Sequence, residues 1–148
     1  MKDLRPILVL EDNDEDFETL VRLMHKQGLE NPVFRCLDGQ ELLQFLYRRG
    51  VYADPKTSPR PVLLLLDLNV PGTDGREVLK ILKNDPQLKA LPIAVVSTSN
   101  NPKDIADCFC HGANTYVVKT IVLEDYRRAL SVFFEYWLAV SVLPEPAA

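Results

Sequence analysis

The chain has 148 residues, 47% of them hydrophobic and 26% charged, the proportions of a globular protein long enough for one sizeable core. Its net charge is −4 and no lysine- or arginine-rich run interrupts it, which argues against a nucleic-acid binder. No stretch approaches an apolar membrane span and the first residues, Met1-Lys2-Asp3-Leu4-Arg5-Pro6, are no signal peptide, so a cytoplasmic protein is expected.

Ile7-Leu8-Val9-Leu10 opens the predicted elements as a short, continuously apolar strand that runs straight into Glu11-Asp12. Such a run reads as a strand buried on both faces, as in a parallel sheet. Asp14 then caps a helix whose apolar face is Phe17, Leu20, Val21 and Met24, and Gly28 ends it. Residues 33–37 form a second strand, and Asp38-Gly39 opens a helix carrying Leu42, Leu43, Phe45 and Leu46. Residues 51–61 hold Pro55, Pro59 and Pro61 and predict a surface loop. The third strand, 62–66, ends at Asp67-Leu68-Asn69, and a turn through Pro71, Gly72 and Asp74-Gly75 leads to a helix with Val78, Leu79 and Leu82.

Pro92 opens the fourth strand, 93–96, which ends at Ser97-Thr98. Pro102 suits the first turn of a fourth helix, closed by His111-Gly112. Thr115-Tyr116-Val117-Val118 is the fifth strand and ends at Lys119; a last helix runs from Leu123 or Glu124 as far as Val140. Strand and helix alternate five times, which predicts a doubly wound α/β domain with a parallel sheet, helices on both faces and right-handed crossovers. No repeat, low-complexity tract or linker divides the chain. The expectation is one domain over 1–148, with its core at about 5–130 and an extended helix and tail at about 131–148.

Open parallel sheets bind ligands beyond the carboxyl ends of their strands. Each candidate residue falls at such an end: Glu11 and Asp12 after the first strand, Asp67 after the third, Ser97 after the fourth, Lys119 after the fifth. Three like charges that close demand a cation, and hard oxygen ligands with room for water suit Mg²⁺. Asp67 is the candidate nucleophile toward phosphorus, the metal would be held by Asp12 and Asp67 with Glu11 assisting, and the Asn69 backbone carbonyl offers a further ligand. Lys119 would meet the phosphoryl group as a compact cation, and the Ser97 hydroxyl can donate to one of its oxygens. Blander roles exist for each residue taken alone. Glu11-Asp12 also reads as an acidic helix start, Asp67 as a turn residue and Tyr116 as a half-buried strand aromatic. His25 and His111 lie near helix C-termini, where imidazolium suits the dipole. Cys36, Cys108 and Cys110 lack any zinc spacing and read as neutral thiols.

Together these residues resemble the receiver domain of two-component response regulators across essentially the whole chain. The resemblance rests on Glu11-Asp12, on Asp67 within Asp67-Leu68-Asn69-Val70-Pro71-Gly72-Thr73-Asp74-Gly75, on Ser97, and on Tyr116 three before Lys119, with spacings of 30 from Asp67 to Ser97 and 52 to Lys119. It implies a flavodoxin-like fold with strand order 2-1-3-4-5, phosphorylation of Asp67 by a histidine kinase with Mg²⁺, and Ser97 and Tyr116 as a pair that repositions on phosphorylation. Thr120 follows Lys119 where the family usually has proline, and Thr98 stands where alanine is commoner. The proline-rich insert, the Ser97-Thr98-Ser99-Asn100 segment and the ending Phe134-Glu135-Tyr136-Trp137-Leu138 are similar to single-domain regulators of cyanobacterial phytochromes, which implies a phytochrome kinase as partner and no output domain.

Two rivals remain at the level of sequence. A haloacid-dehalogenase-like phosphatase also uses an aspartyl nucleophile, but needs an acid two residues on, where this chain has Asn69. A cofactor-binding flavodoxin-like module wants a phosphate-cradling loop after the first strand, where Glu11-Asp12-Asn13-Asp14 would repel phosphate. The last helix predicts self-association as a homodimer: Phe133, Trp137 and Val140 cover one side, while Phe134, Tyr136 and Leu138 spread around the rest as an apolar interface. The alternative is that residues 141–146 fold back and cover this patch.

Overall fold

The computed structural model describes residues 3–146; residues 1, 2, 147 and 148, at the two ends of the expected domain, lie outside the described residues. Five strands, β1 (Ile7–Leu10), β2 (Val33–Cys36), β3 (Leu63–Leu66), β4 (Ile93–Ser97) and β5 (Thr115–Val118), form one sheet in the order 2-1-3-4-5. Every pairing is parallel, with Ile7 opposite Val33 on one side and Leu63 on the other, and Leu66 opposite Val95. This is the flavodoxin-like order expected from the sequence.

Side chains alternate faces along a strand, so each apolar run supplies two cores at once. Ile7, Val9, Leu63, Leu65, Ala94 and Val96 point toward α1 (Asp14–Lys26) and α5 (Leu123–Glu135), where Leu20, Met24, Leu130 and Phe134 meet them. Leu8, Leu10, Leu64, Leu66, Ile93 and Val95 point the other way. They pack on Leu42 and Phe45 of α2 (Gly39–Tyr47), Val78, Leu79 and Leu82 of α3 (Gly75–Asn84) and Cys108 of α4 (Pro102–Cys110). The continuous apolar spelling of β1, β3 and β4 is thus the consequence of burial on both faces.

Helix starts follow their capping chemistry. Asp38, Asp74 and Asn101 each accept a backbone N–H of the first turn, and Pro102 takes the position where its missing donor costs nothing. For α1 the cap is Asn13, which accepts from the Asp16 amide; Asp14, the expected cap, is the first helical residue. Leu23, absent from the expected apolar face, is buried beside Leu20 and Met24, and Val21 is only half-buried.

The proline-rich segment is a surface loop tied down at two points. Tyr52, in a 3-10 turn at Gly50–Tyr52, packs on Phe45 at 5.1 Å between ring centroids and donates to Glu41 at 2.8 Å. Ser58 is buried and donates to the carbonyls of Tyr52 and Asp54.

The C-terminal helix corrects the expected interface. After α5 the chain makes a π-helical turn, Tyr136–Val140, so the helix reaches Val140 as expected. Phe133, Phe134 and Leu138 lie in the core and Trp137 is half-buried against it; they are not an exposed apolar patch. Leu130, Phe134 and Leu138 recur every four residues and form a second inward stripe beside Tyr126, Phe133 and Trp137, so one wide face docks on the sheet and α1. The segment after it folds back: Leu143 is buried, and Arg5 donates to the carbonyls of Leu143 and Pro144. On the last turns of the helix itself, what stays in water is a narrower seam of Val132, Tyr136 and Val140, and Val142 beyond it is exposed as well. No helix among the described residues is long and apolar enough to cross a membrane.

Candidate functional site

The sheet brings four strand ends to one place. Leu10 is opposite Leu66, so the residues that follow, Glu11 and Asp67, come side by side. The ladder extends one step past the strands: the Asp67 amide donates to the Leu10 carbonyl at 3.1 Å and the Lys119 amide to the Ser97 carbonyl at 2.7 Å. Carboxylate oxygens of Glu11, Asp12 and Asp67 all lie within 4.8 Å of one another, with Glu11 and Asp67 buried and Asp12 exposed. The donor set fits a hard divalent cation, because all three ligands are anionic oxygens and the exposed side leaves room for water.

Lys119 reaches into this cluster. Its Nζ donates to Glu11 Oε1 at 2.5 Å, Asp16 Oδ2 at 3.0 Å and Asp67 Oδ2 at 3.1 Å. Burial alone would favour a neutral amine, yet the Glu11 hydrogen bond and the surrounding carboxylates hold the ammonium pKa above its ordinary value. Glu11 is pulled both ways: burial raises it, Lys119 lowers it, and the balance leaves it at about 7. The other Asp67 oxygen accepts the Asn69 amide at 3.0 Å, so both are oriented.

The expected site residues come together with one intermediary. Ser97 is fully buried, and its Oγ accepts the Ser99 amide at 3.1 Å, which leaves the hydroxyl proton free for another acceptor. Tyr116, half-buried, donates to the Ser99 carbonyl at 2.8 Å. Ser97 and Tyr116 are therefore joined through Ser99, whose own hydroxyl donates to Asp104 of α4 at 2.7 Å. No peptide bond among the described residues is cis, and Thr120 donates to the Val122 carbonyl at the start of α5. Thr98 points outward and is exposed.

Residues 7–131 match the sequence pattern of the response regulator receiver domain. The chain belongs to that family. The receiver is 34% identical to the response regulator Rcp1 of Synechocystis over 93% of its own length and 92% of Rcp1. The Mn²⁺-bound Rcp1 structure superposes with a TM-score of 0.88, covering 95% of this chain and 99% of the other. The phosphorylated cyanobacterial phytochrome response regulator RcpA also gives 0.88, at 36% identity over 95% and 98% of the two chains. A probable methanogenesis regulatory protein, FilR2 of Methanothrix harundinacea, is 32% identical over 95% of this receiver and 88% of its own length. Two-component signalling is the function of the family, and receivers bind a divalent cation at their acidic cluster. The phosphatase and flavin-module readings have no support.

Besides Ser99, two contributors to the receiver's site were not apparent from the sequence. Asp16 lies in the acidic first turn of α1 and accepts a hydrogen bond from Lys119. Arg35 donates from Nε to the Glu11 carbonyl at 2.8 Å, pairs with Asp14 at 2.8 Å and sits 4.8 Å over the Phe17 ring. It fixes the loop that carries Glu11 and Asp12; its signal was an arginine inside the otherwise apolar Val33-Phe34-Arg35-Cys36. His25 and His111 stay at the ends of α1 and α4, as expected. Cys36 and Cys108 are buried and Cys110 is exposed; burial pushes the Cys36 thiol up to about 12.

Proposed function

We propose that Asp67 accepts a phosphoryl group from the phosphohistidine of a sensor kinase, with Mg²⁺ held by Asp12, Asp67 and the Asn69 carbonyl and assisted by Glu11. The observation that carries this reading is the meeting of Lys119, Glu11, Asp12 and Asp67 at the carboxyl edge of the sheet. A carboxylate oxygen of Asp67 attacks phosphorus, the phosphorus–nitrogen bond breaks, and the donor imidazole leaves. Mg²⁺, when bound, neutralises the charge that develops on the phosphoryl oxygens. Lys119 supplies a fixed positive charge to the same oxygens, and Ser97 offers its free hydroxyl proton. The chemistry acts on the protein's own side chain, so the chain is a phosphoacceptor rather than an enzyme with a separate substrate.

A phytochrome-type kinase is the proposed partner. Its support is the similarity to RcpA, which extends over 95% of the chain and so includes most of the C-terminal segment beyond residue 131. Phosphotransfer from a purified phytochrome kinase, compared with kinases of other sensory classes, tests it. The reading expects transfer from the phytochrome kinase to be the fastest of the panel, and it fails if a kinase of another class is faster.

A homodimer through the C-terminal face remains part of the proposal, moved to the residues that are exposed. Val132, Tyr136 and Val140 recur at four-residue spacing and are 64%, 50% and 62% exposed. Light scattering should give twice the monomer mass, and Tyr136→Glu should return it to one; a monomer in the unsubstituted protein, phosphorylated or not, removes the dimer.

A further inference from the structure

A groove of about 670 Å³ runs between α1 and α5; none of the carboxylate cluster lines it, and of the exposed seam only Val132 stands at its edge. Four of its lining residues are cations: Arg22 and Lys26 from α1, Arg127 and Arg128 from α5. Its one acid, Glu124, is held 3.8 Å from Arg127. Arg22, Lys26 and Arg128 make no ion pair among the described residues. Arg22 and Lys26 are four apart on one helix face, a like-charge spacing that destabilises a helix. A concentration of unpaired positive charge in a concave surface is at odds with a protein of net charge −4. Charge left unbalanced in a groove raises the local concentration of anions.

We propose that this groove binds a phosphate-bearing small molecule of the nucleoside polyphosphate class. The volume falls within the range of small-molecule sites. Arginine forks match phosphate oxygens, and hydrogen bonds with charge on both partners are among the strong ones. The remaining lining suits the rest of such a ligand: Leu23 and Val132 are apolar and Ser131 adds a hydroxyl, while the Thr19 hydroxyl donates to the Glu15 carbonyl at 2.9 Å. The proposal is independent of Asp67 chemistry, because none of the lining residues belongs to the carboxylate cluster.

Calorimetric titration of the full chain with pyrophosphate, ATP and adenosine, in chelator and at physiological salt, tests it. ATP and pyrophosphate should bind and adenosine should not. Lys26→Ala and Arg128→Ala should each weaken ATP binding about tenfold, the loss of one charge-assisted contact. Phosphorylation by acetyl phosphate should be unchanged in both variants, which separates this site from the phosphoacceptor. The absence of ATP binding, ATP affinity in both variants equal to that of the unsubstituted chain, or adenosine binding as tightly as ATP would overturn the proposal. So would a glutamate-rich peptide that displaces ATP from a tighter complex, which would make the groove a docking face for an acidic protein.

Discussion

Lys119 and Glu11 determine the electrostatic character of the site, because each is buried and each compensates the other. Lys119→Ala removes the ammonium that offsets two buried carboxylates, so it should lower the melting temperature in chelator and recover much of that loss in Mg²⁺, which restores the missing positive charge. An equal loss with and without Mg²⁺, read by differential scanning calorimetry, would assign the lysine a packing role. The raised pKa of Glu11 fixes a pH dependence. The metal-free folded chain holds this proton up to about pH 7, whereas the unfolded chain releases it near 4.5. The folded state therefore binds more protons in that window, and this group's contribution to metal-free stability falls as pH rises through it. A cation competes with the proton, so Mg²⁺ affinity should fall as pH drops below about 7, with proton release on binding. Calorimetry in two buffers of different ionisation enthalpy measures that release; identical heats at pH 6.5 would rule it out. Gly75 matters through space alone. A Cβ there would meet the Asp67 carbonyl oxygen at 2.6 Å and the Leu68 Cα at 2.8 Å. Gly75→Ala should therefore cost ~1–3 kcal/mol, a drop of several degrees in melting temperature, and slow phosphorylation by displacing Asp67.

At the scale of elements, the strands and the span of the last helix were legible, and the inward face of that helix was not. Continuous runs such as Leu63-Leu64-Leu65-Leu66 admit only burial on both faces, and turn residues bracket each of them. Helix orientation depends on a register that spelling does not carry. Phe133, Phe134, Tyr136, Trp137 and Leu138 are apolar around most of a turn, and which of them face inward follows from the sheet, from α1 and from the wider π turn. The tail posed the same difficulty, since Leu143 finds its place only when Arg5 and the end of the last helix are already positioned. The two stripes make opposite expectations. Phe134→Ala should destabilise by ~3–5 kcal/mol by leaving a cavity, whereas Val132→Ala on the exposed seam should stay within about 0.5 kcal/mol in the monomer. Chemical denaturation of both variants checks this, and comparable losses would contradict the assignment of faces.

For the whole molecule, function was legible because topology converts scattered positions into one site. Glu11, Asp67, Ser97 and Lys119 are far apart in sequence, but a parallel sheet in the order 2-1-3-4-5 gathers the ends of β1, β3, β4 and β5. Asp16 and Arg35 escaped because their roles depend on the side-chain reach of Lys119 and on the pairing of β2 beside β1. Ser99 escaped because its part is played largely by backbone atoms, which any residue would supply. The central claim is that this gathered cluster makes Asp67 a phosphoacceptor. Intact-mass spectrometry after treatment with acetyl phosphate and Mg²⁺ tests it most directly. The full chain should gain one phosphoryl group and Asp67→Asn none, whereas an adduct of equal yield in Asp67→Asn, or no adduct on the unsubstituted chain, would contradict it.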